Sequence, residues 1–248
     1  MLRLPELDIT EYFNLVNDDR NSLLYWFPKV EKLTKVPKTT WITVDFDVSW
    51  YVRLPRKIVE AAKEKADEIG YPLFARTDVN SGKHQWYDTC FVYSPHTLQR
   101  NLKNLVVDTI HKNLIFRAFC FRELLPLDSY FRAFSGRLPI STEVRVLFDN
   151  HKVNCWFFYW IKDAIRYPRS TKWEYYIERM EKTAYNEQDI FINEAKKVAK
   201  EFDGFWSVDF ARTENGEWYL IDMALGQVSW ISPHKYEVDK HETITPDC

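Results

Sequence analysis

Asp209 and Asp222 stand at equal distances from an Asn215-Gly216 dipeptide. Asn-Gly between two apolar-rich runs, here residues 205–212 and 218–223, is a strong hairpin signal, because a tight primed turn needs positive φ at both central residues. With 215 and 216 as a two-residue loop, 214 faces 217 and the pairing runs out to 209 opposite 222. The two carboxylates then become cross-strand neighbours on one face, with Cβ atoms about 4.5–5.5 Å apart. Like charges held that close repel and need neutralising. A hard divalent cation with oxygen ligands, usually Mg2+ shared with a nucleotide's phosphates, would do it. Two other readings stand beside that one: a nearby Arg or Lys pairs the carboxylates, or the register is slipped and one aspartate faces solvent.

Four further pieces of sequence could join them. Residues 74–83, FARTDVNSGK, read as a strand ending in Arg76, with Lys83 seven residues on across a Gly turn. Such a turn offers backbone N–H groups and a point charge, both suited to phosphate oxygens, and an ordinary basic surface loop has the same composition. Arg122-Glu123-Leu124-Leu125 ends another strand. Its backbone and apolar flank could read an adenine edge, with Asp128 near enough in sequence to reach a ribose hydroxyl, or the strand could simply run into a loop. In Glu143-Val144-Arg145-Val146-Leu147-Phe148, alternation puts Glu143, Arg145 and Leu147 on one face. Arg145 among so many apolar neighbours needs an anion, either Glu143 or a ligand phosphate. Last, Gly226-Gln227-Val228-Ser229-Trp230 could lie over a substrate or form a surface loop.

The elements that must carry these residues are mixed in order. A short helix and loop lead to a strand at 41–46, and Pro55 opens a helix with Ile58, Val59, Ala62, Ala66 and Ile69 at helical spacing, ending at Gly70. A second helix starts at Ser94-Pro95, with Leu98, Leu102, Leu105, Val106 and Ile110 as its buried stripe. Strands at 142–148 and 153–160 form a hairpin, helices follow at 172–183 and 187–202, and the aspartate hairpin closes the pattern. Helices and antiparallel hairpins in this order predict an α+β fold, not a doubly wound parallel sheet. The chain has 248 residues, 46% apolar and 17% aromatic, enough for one large domain or two small lobes. A net charge of −2 with dispersed Lys and Arg argues against a nucleic-acid surface. None of the six glycines forms a Rossmann fingerprint or a P-loop, and the six histidines show no metal-ligand spacing. The dispersed cysteines (Cys90, Cys120, Cys155, Cys248) read as reduced thiols, and with no signal sequence or spanning segment a cytoplasmic protein is expected.

In order, the Val36-Pro37-Lys38-Thr39 segment, Arg76…Lys83, Arg122-Glu123-Leu124-Leu125, Glu143-Val144-Arg145 and the hairpin Val208-Asp209-Phe210…Leu220-Ile221-Asp222-Met223-Ala224 resemble the ATP-grasp superfamily, over roughly residues 30–232. The chain looks closest to small ATP-grasp proteins without assigned substrate, and more distantly like the family of the cell division cycle protein 123. The resemblance implies a nucleotide clasped between two α+β lobes, at 51–125 and 126–248, after a short N-terminal segment 1–50. It implies that Arg76 replaces a phosphate-binding lysine, that Lys83 closes over the phosphates, and that Glu123 and Leu125 bracket adenine. It also puts Asp128 at the ribose, Arg145 on phosphate and Mg2+ on Asp209 and Asp222. Arg145 and Lys83 would be the catalytic cations. Many members carry Glu and then Asn two residues apart on the last strand; here those positions are Asp222 and Ala224. The function implied is an ATP-dependent ligase joining a carboxylate to an amine or similar nucleophile through an acylphosphate, the acceptor being a small molecule or a protein. The alternatives are a non-catalytic ATP- and Mg2+-binding assembly factor or regulator, which the Ala224 departure fits, and a nucleic-acid-modifying enzyme using the ten tryptophans for stacking.

Overall fold

The computed structural model describes residues 9–238 and 243–244; residues 1–8 of the expected N-terminal segment, His241 and Cys248 lie outside them. The described chain begins with α1 (Ile9–Val16) and α2 (Leu23–Val30), the latter burying Leu23, Trp26, Phe27 and Val30. β1 (Thr39–Thr43), α3 (Arg56–Ile69), β2 (Leu73–Thr77), β3 (Phe91–Val92), α4 (Pro95–His111) and β4 (Ala118–Glu123) follow. Gly70 stops α3 at φ 88°, and Ala62 and Ala66 are its fully buried positions. The four strands pair antiparallel in the order β1-β4-β2-β3. Leu73, Ala75, Phe119 and Phe121 share one core with α3 and with Leu98, Leu102, Leu105 and Val106 of α4. Period-2 alternation therefore turns Phe74, Arg76 and Arg122 to the opposite face.

Next come β5 (Ser129–Ala133) and β6 (Leu138–Ser141), a separate hairpin that the sequence reading missed. Then β7 (Glu143–Asp149), β8 (Lys152–Phe158), α5 (Trp173–Asn186), α6 (Gln188–Ala199), β9 (Phe205–Arg212), β10 (Trp218–Leu225), β11 (Lys235–Glu237) and β12 (Thr243–Ile244) complete the chain. The second sheet runs β10-β9-β7-β8-β11-β12 and is antiparallel where its neighbours pair. Val144, Val146 and Phe148 pack into its core with Phe191, Val198 and Phe210, which frees Glu143 and Arg145 for the other face. Two antiparallel sheets with helices packed on them make an α+β fold, as the sequence predicts. Among the described residues no helix is long and apolar enough to cross a membrane. Cys90 and Cys120 are buried free thiols.

Three details differ from the sequence reading. The first sheet recruits β1 from before residue 50, at Thr39–Thr43 instead of 41–46. α2, also N-terminal to residue 50, lies in the core of the second sheet. The aspartate hairpin does pair Asp209 with Asp222, but by another route. Its loop has three residues, since Thr213 donates to the Glu217 carbonyl at 2.8 Å and Gly216 to the Thr213 carbonyl at 2.9 Å. Positive φ occurs at Gly216 alone, 80°, and Trp218 faces Arg212. A bulge between Leu220 and Asp222 then shifts the register by one and brings the two aspartates opposite each other.

The loop from β2 to β3 is held at several points. Asp78, 1% exposed, accepts from the N–H groups of Arg117 and Ala118 and from the Ser22 hydroxyl, and its carbonyl accepts from Leu23 N. Asn80 donates to Asp108 and Thr109 on α4. Gly136, in the β5–β6 turn, lies so close to this loop that an added Cβ would sit 2.3 Å from the His84 carbonyl oxygen and 2.5 Å from Trp86 N. Two outcomes follow for urea unfolding. Asp78→Ala should lower stability by at least about 1–3 kcal/mol, because buried donors lose their acceptor. Gly136→Ala should lose about 1–3 kcal/mol through overpacking of backbone on backbone. An unchanged midpoint for either variant would show that its contact does not hold the loop.

Candidate functional site

A cavity of about 380 Å3 lies between the two sheets. One wall is β2 and β4 with the loop after β2; the other is β7, β9 and β10, and residues 123–127 close one end. Strand alternation delivers the side chains. β2 offers Phe74 and Arg76, β4 offers Arg122, β7 offers Glu143 and Arg145, and the paired aspartates come from β9 and β10. The hinge end is apolar, with Pro37, Phe74, Leu125, Pro126 and Ile221, and the far end is charged.

Each expected phosphate cation already has a carboxylate. Arg145 faces Asp209 across adjacent strands and holds it at both oxygens, Nε to Oδ1 at 2.6 Å and Nη2 to Oδ2 at 2.8 Å. Its remaining Nη1 donates to the Trp230 carbonyl at 3.0 Å, so the segment after Gly226 does reach the site. Arg76 Nη1 donates to Asp222 Oδ1 at 2.8 Å, and Lys83 Nζ to Glu143 Oε2 at 3.1 Å. The last two pairs tie one sheet to the other, and Arg122 adds a third tie through Nη1 to the Ile221 carbonyl. Arg122 is 3% exposed, and its Nη2 has no partner among the described residues.

Burial works against the Arg145 cation, yet Asp209 keeps its pKa above the ordinary arginine value. Burial likewise opposes charge on Lys83, but Glu143, Tyr159 and Asp209 raise its pKa. Burial and then the repulsion of Arg76 push the Arg122 guanidinium down to about 10. Burial raises the Glu143 carboxyl even though Lys83 counteracts it.

The structure thus brings Arg76, Lys83, Glu123, Leu125, Arg145, Asp209 and Asp222 to one cavity. It does not bring Asp128 there. The Asp128 carboxylate accepts from the Thr142 N–H and hydroxyl and from Arg212, and its residue does not line the space. The anion that Arg145 needs is Asp209, not the neighbouring Glu143, which is held by Lys83 from 60 residues away. Sequence reasoning gave no site role to Arg122, Glu143 or Tyr159. Alternation on β4 could have flagged Arg122; the Lys83–Glu143 contact has no local signal.

Among the described residues no three or more His, Cys, Asp or Glu side chains are grouped to hold a metal. Two carboxylates do fit Mg2+, which keeps several waters and takes one or two protein carboxylates beside substrate phosphates. Asp222 is the readier of the two. Its side chain is 36% exposed and only Oδ1 is engaged, by Arg76 and the Met223 N–H, whereas Arg145 occupies both oxygens of Asp209.

The sequence matches a family of ATP-grasp domains, the third family of its clade, over residues 66–244. No curated protein matches it. Among solved structures, C-terminally truncated Cdc123 from Schizosaccharomyces pombe is similar with a TM-score of 0.57 at 14% identity, over 86% of this chain and 85% of that one. Cdc123 from the same organism gives a TM-score of 0.55 at 13% identity, with 86% and 85% covered. N5-carboxyaminoimidazole synthase from Aspergillus clavatus, in complex with ADP and 5-aminoimadazole ribonucleotide, gives 0.49 at 12% identity over 84% of this chain and 45% of that one. At such identities the likeness to the Cdc123 structures is one of fold. The family match covers well over half of the sequence, and the chain belongs to this family of ATP-grasp domains.

Proposed function

We propose that this protein binds Mg2+-ATP between its two sheets and acts as a ligase in the cytoplasm, activating a substrate carboxylate as an acylphosphate for attack by an amine or similar nucleophile. One observation carries the reading. Arg76, Lys83 and Arg145 converge with Asp209 and Asp222 at one end of a cavity whose other end is an apolar slot closed by the 123–127 hinge.

The slot between Phe74, Leu125 and Ile221 suits a purine ring, and the hinge backbone at 123–125 is placed to read its edge. Arg76, Lys83 and Arg145 would exchange their carboxylates for phosphate oxygens. Asp209 and Asp222, so released, would hold Mg2+, which supplies charge neutralisation at the phosphates. A substrate carboxylate oxygen then bonds to the γ-phosphorus as the bond to the β-phosphate oxygen breaks and ADP leaves. The nucleophile attacks the acyl carbon, loses its proton and expels inorganic phosphate. Positioning and electrostatics suffice for both steps, and no nucleophilic side chain of the protein is required. Asp128 takes no part, because its oxygens are already committed to Thr142 and Arg212.

A second reading, ATP and Mg2+ held without turnover by an assembly factor or regulator, is favoured by the non-ligating Ala224 and by the engagement of both Asp209 oxygens. Isotope exchange separates the two. A ligase given a carboxylate mixture should scramble 18O from the β,γ-bridge of ATP into the β-phosphate, and should release ADP when amines are added. Nucleotide binding with no scrambling across a broad carboxylate set would favour the second reading.

Two outcomes test the site itself. Mg2+-ATP should raise the melting temperature, by roughly 2.7 kcal/mol of stability at about a hundred times Kd, and ATP with EDTA should do much less. Equal shifts would remove the metal. Arg145→Met should weaken ATP binding by about 2–5 kcal/mol, the usual loss for a truncated buried charge pair. It should also destabilise the nucleotide-free protein by about 3–5 kcal/mol, since Asp209 is left buried and unpaired, and adding Asp209→Leu should recover most of that loss. Calorimetric titration and urea unfolding check both halves; intact ATP affinity in Arg145→Met would take Arg145 out of the phosphate site.

A further inference from the structure

We infer that Glu143, Tyr159 and Trp160 form the seat for the ammonium group of a primary-amine acceptor, and that Lys83 fills this seat in the absence of substrate. The inference rests on the ligase reading and names the class of its nucleophile.

Lys83 Nζ lies 3.1 Å from Glu143 Oε2, 4.2 Å from the Tyr159 ring centroid and 4.8 Å from that of Trp160. Two aromatic faces and a carboxylate around one ammonium make an arrangement that binds alkylammonium ions as ligands. The seat is built, not incidental. Glu143 is 4% exposed and its Oε1 accepts from the Ser141 hydroxyl at 3.3 Å. Trp160 is fixed between the Tyr159 and Phe134 rings, at 4.9 and 6.1 Å, and its buried indole N–H has no acceptor among the described residues. Tyr159 also lies under Arg145, 5.0 Å from its guanidinium carbon, so the seat adjoins the proposed phosphate position.

The loop around Lys83 is pinned by Asn80, by Thr89 and by the close approach of Gly136, which leaves the long lysine side chain as the part free to turn. Once Nζ turns to a phosphate, Glu143 is a buried carboxylate with no cation, an unfavourable state. An incoming ammonium restores the balance; an alcohol or thiol cannot. Capture of phosphate by Lys83 and capture of an amine by the vacated seat therefore favour each other, reciprocally. The acceptor class this selects is a primary amine carried on an alkyl chain.

The probe is n-butylammonium chloride, with n-butanol as the neutral control, read by thermal unfolding. In Lys83→Ala, where the seat is vacant, butylammonium at roughly five times its Kd should raise the melting temperature by about 2–4 °C, and butanol should not. Wild type should respond only when loaded with Mg2+ and a non-hydrolysable ATP analogue. Glu143→Gln should abolish both responses. If Lys83→Ala does not fold, the nucleotide-loaded wild type decides alone. Failure of the analogue to bind wild type would end the ligase reading while leaving the Lys83→Ala result to judge the seat. A bound analogue with no butylammonium response, or with an equal response to butanol, would overturn the seat and leave the ligase reading intact.

Discussion

Arg145 and Asp209 lie opposite each other on β7 and β9, buried, with the guanidinium engaging both carboxylate oxygens. Charge in such a place is tolerated only when matched, because removing an ion from water costs several kcal/mol even after relaxation. The rest of the cleft obeys the same condition. Arg76 and Asp222 meet between the sheets, and so do Lys83 and Glu143. The groups needed for a nucleotide are thus stored as salts of one another, and ligand binding becomes an exchange of partners instead of an addition of charge. Arg122 is the exception, a buried guanidinium satisfied by the Thr39 hydroxyl and the Ile221 carbonyl without a carboxylate. It leaves the cleft with a positive bias towards an anionic ligand.

Much of this could be read from sequence, and for physical reasons that differ from residue to residue. The helices α3 and α4 were legible because their apolar spacing and their Pro55, Gly70 and Ser94-Pro95 boundaries all agree. The β7–β8 turn was legible from Asn150-His151, both of which adopt positive φ, at 44° and 71°. The faces of β2 and β7 followed from alternation alone. What alternation cannot supply is the partner across a cleft. Glu143 looked like the counter-ion of Arg145 because it is two residues away, yet the chain satisfies each of them from a distant element. Asp128 looked close enough to a ribose, but residues 14 and 84 positions away claim its oxygens.

The hinge and the loop after β2 show how the scaffold separates its rigid and movable parts. Glu123 N donates to the Lys38 carbonyl and Leu127 N to that of Leu125, so the adenine end is framed by backbone. The Lys83 loop is framed by Asn80, Thr89 and the tip of the β5–β6 hairpin. What is left to rearrange is a small set of charged side-chain ends, which can move without reopening either core.

The bulge between Leu220 and Asp222 has a consequence for how this hairpin can vary. Counting strand positions is arithmetic modulo two: every inserted or deleted residue swaps inside for outside from that point on. The aspartate hairpin contains two odd steps, the three-residue loop at 214–216 and the bulge near Ile221, and they cancel. Asp222 faces the cleft because the two errors of parity correct each other. The turn and the bulge, nearly a full strand apart, are therefore a linked pair: a change of one residue in the loop, harmless in most hairpins, would here reverse the last strand unless the bulge changed with it.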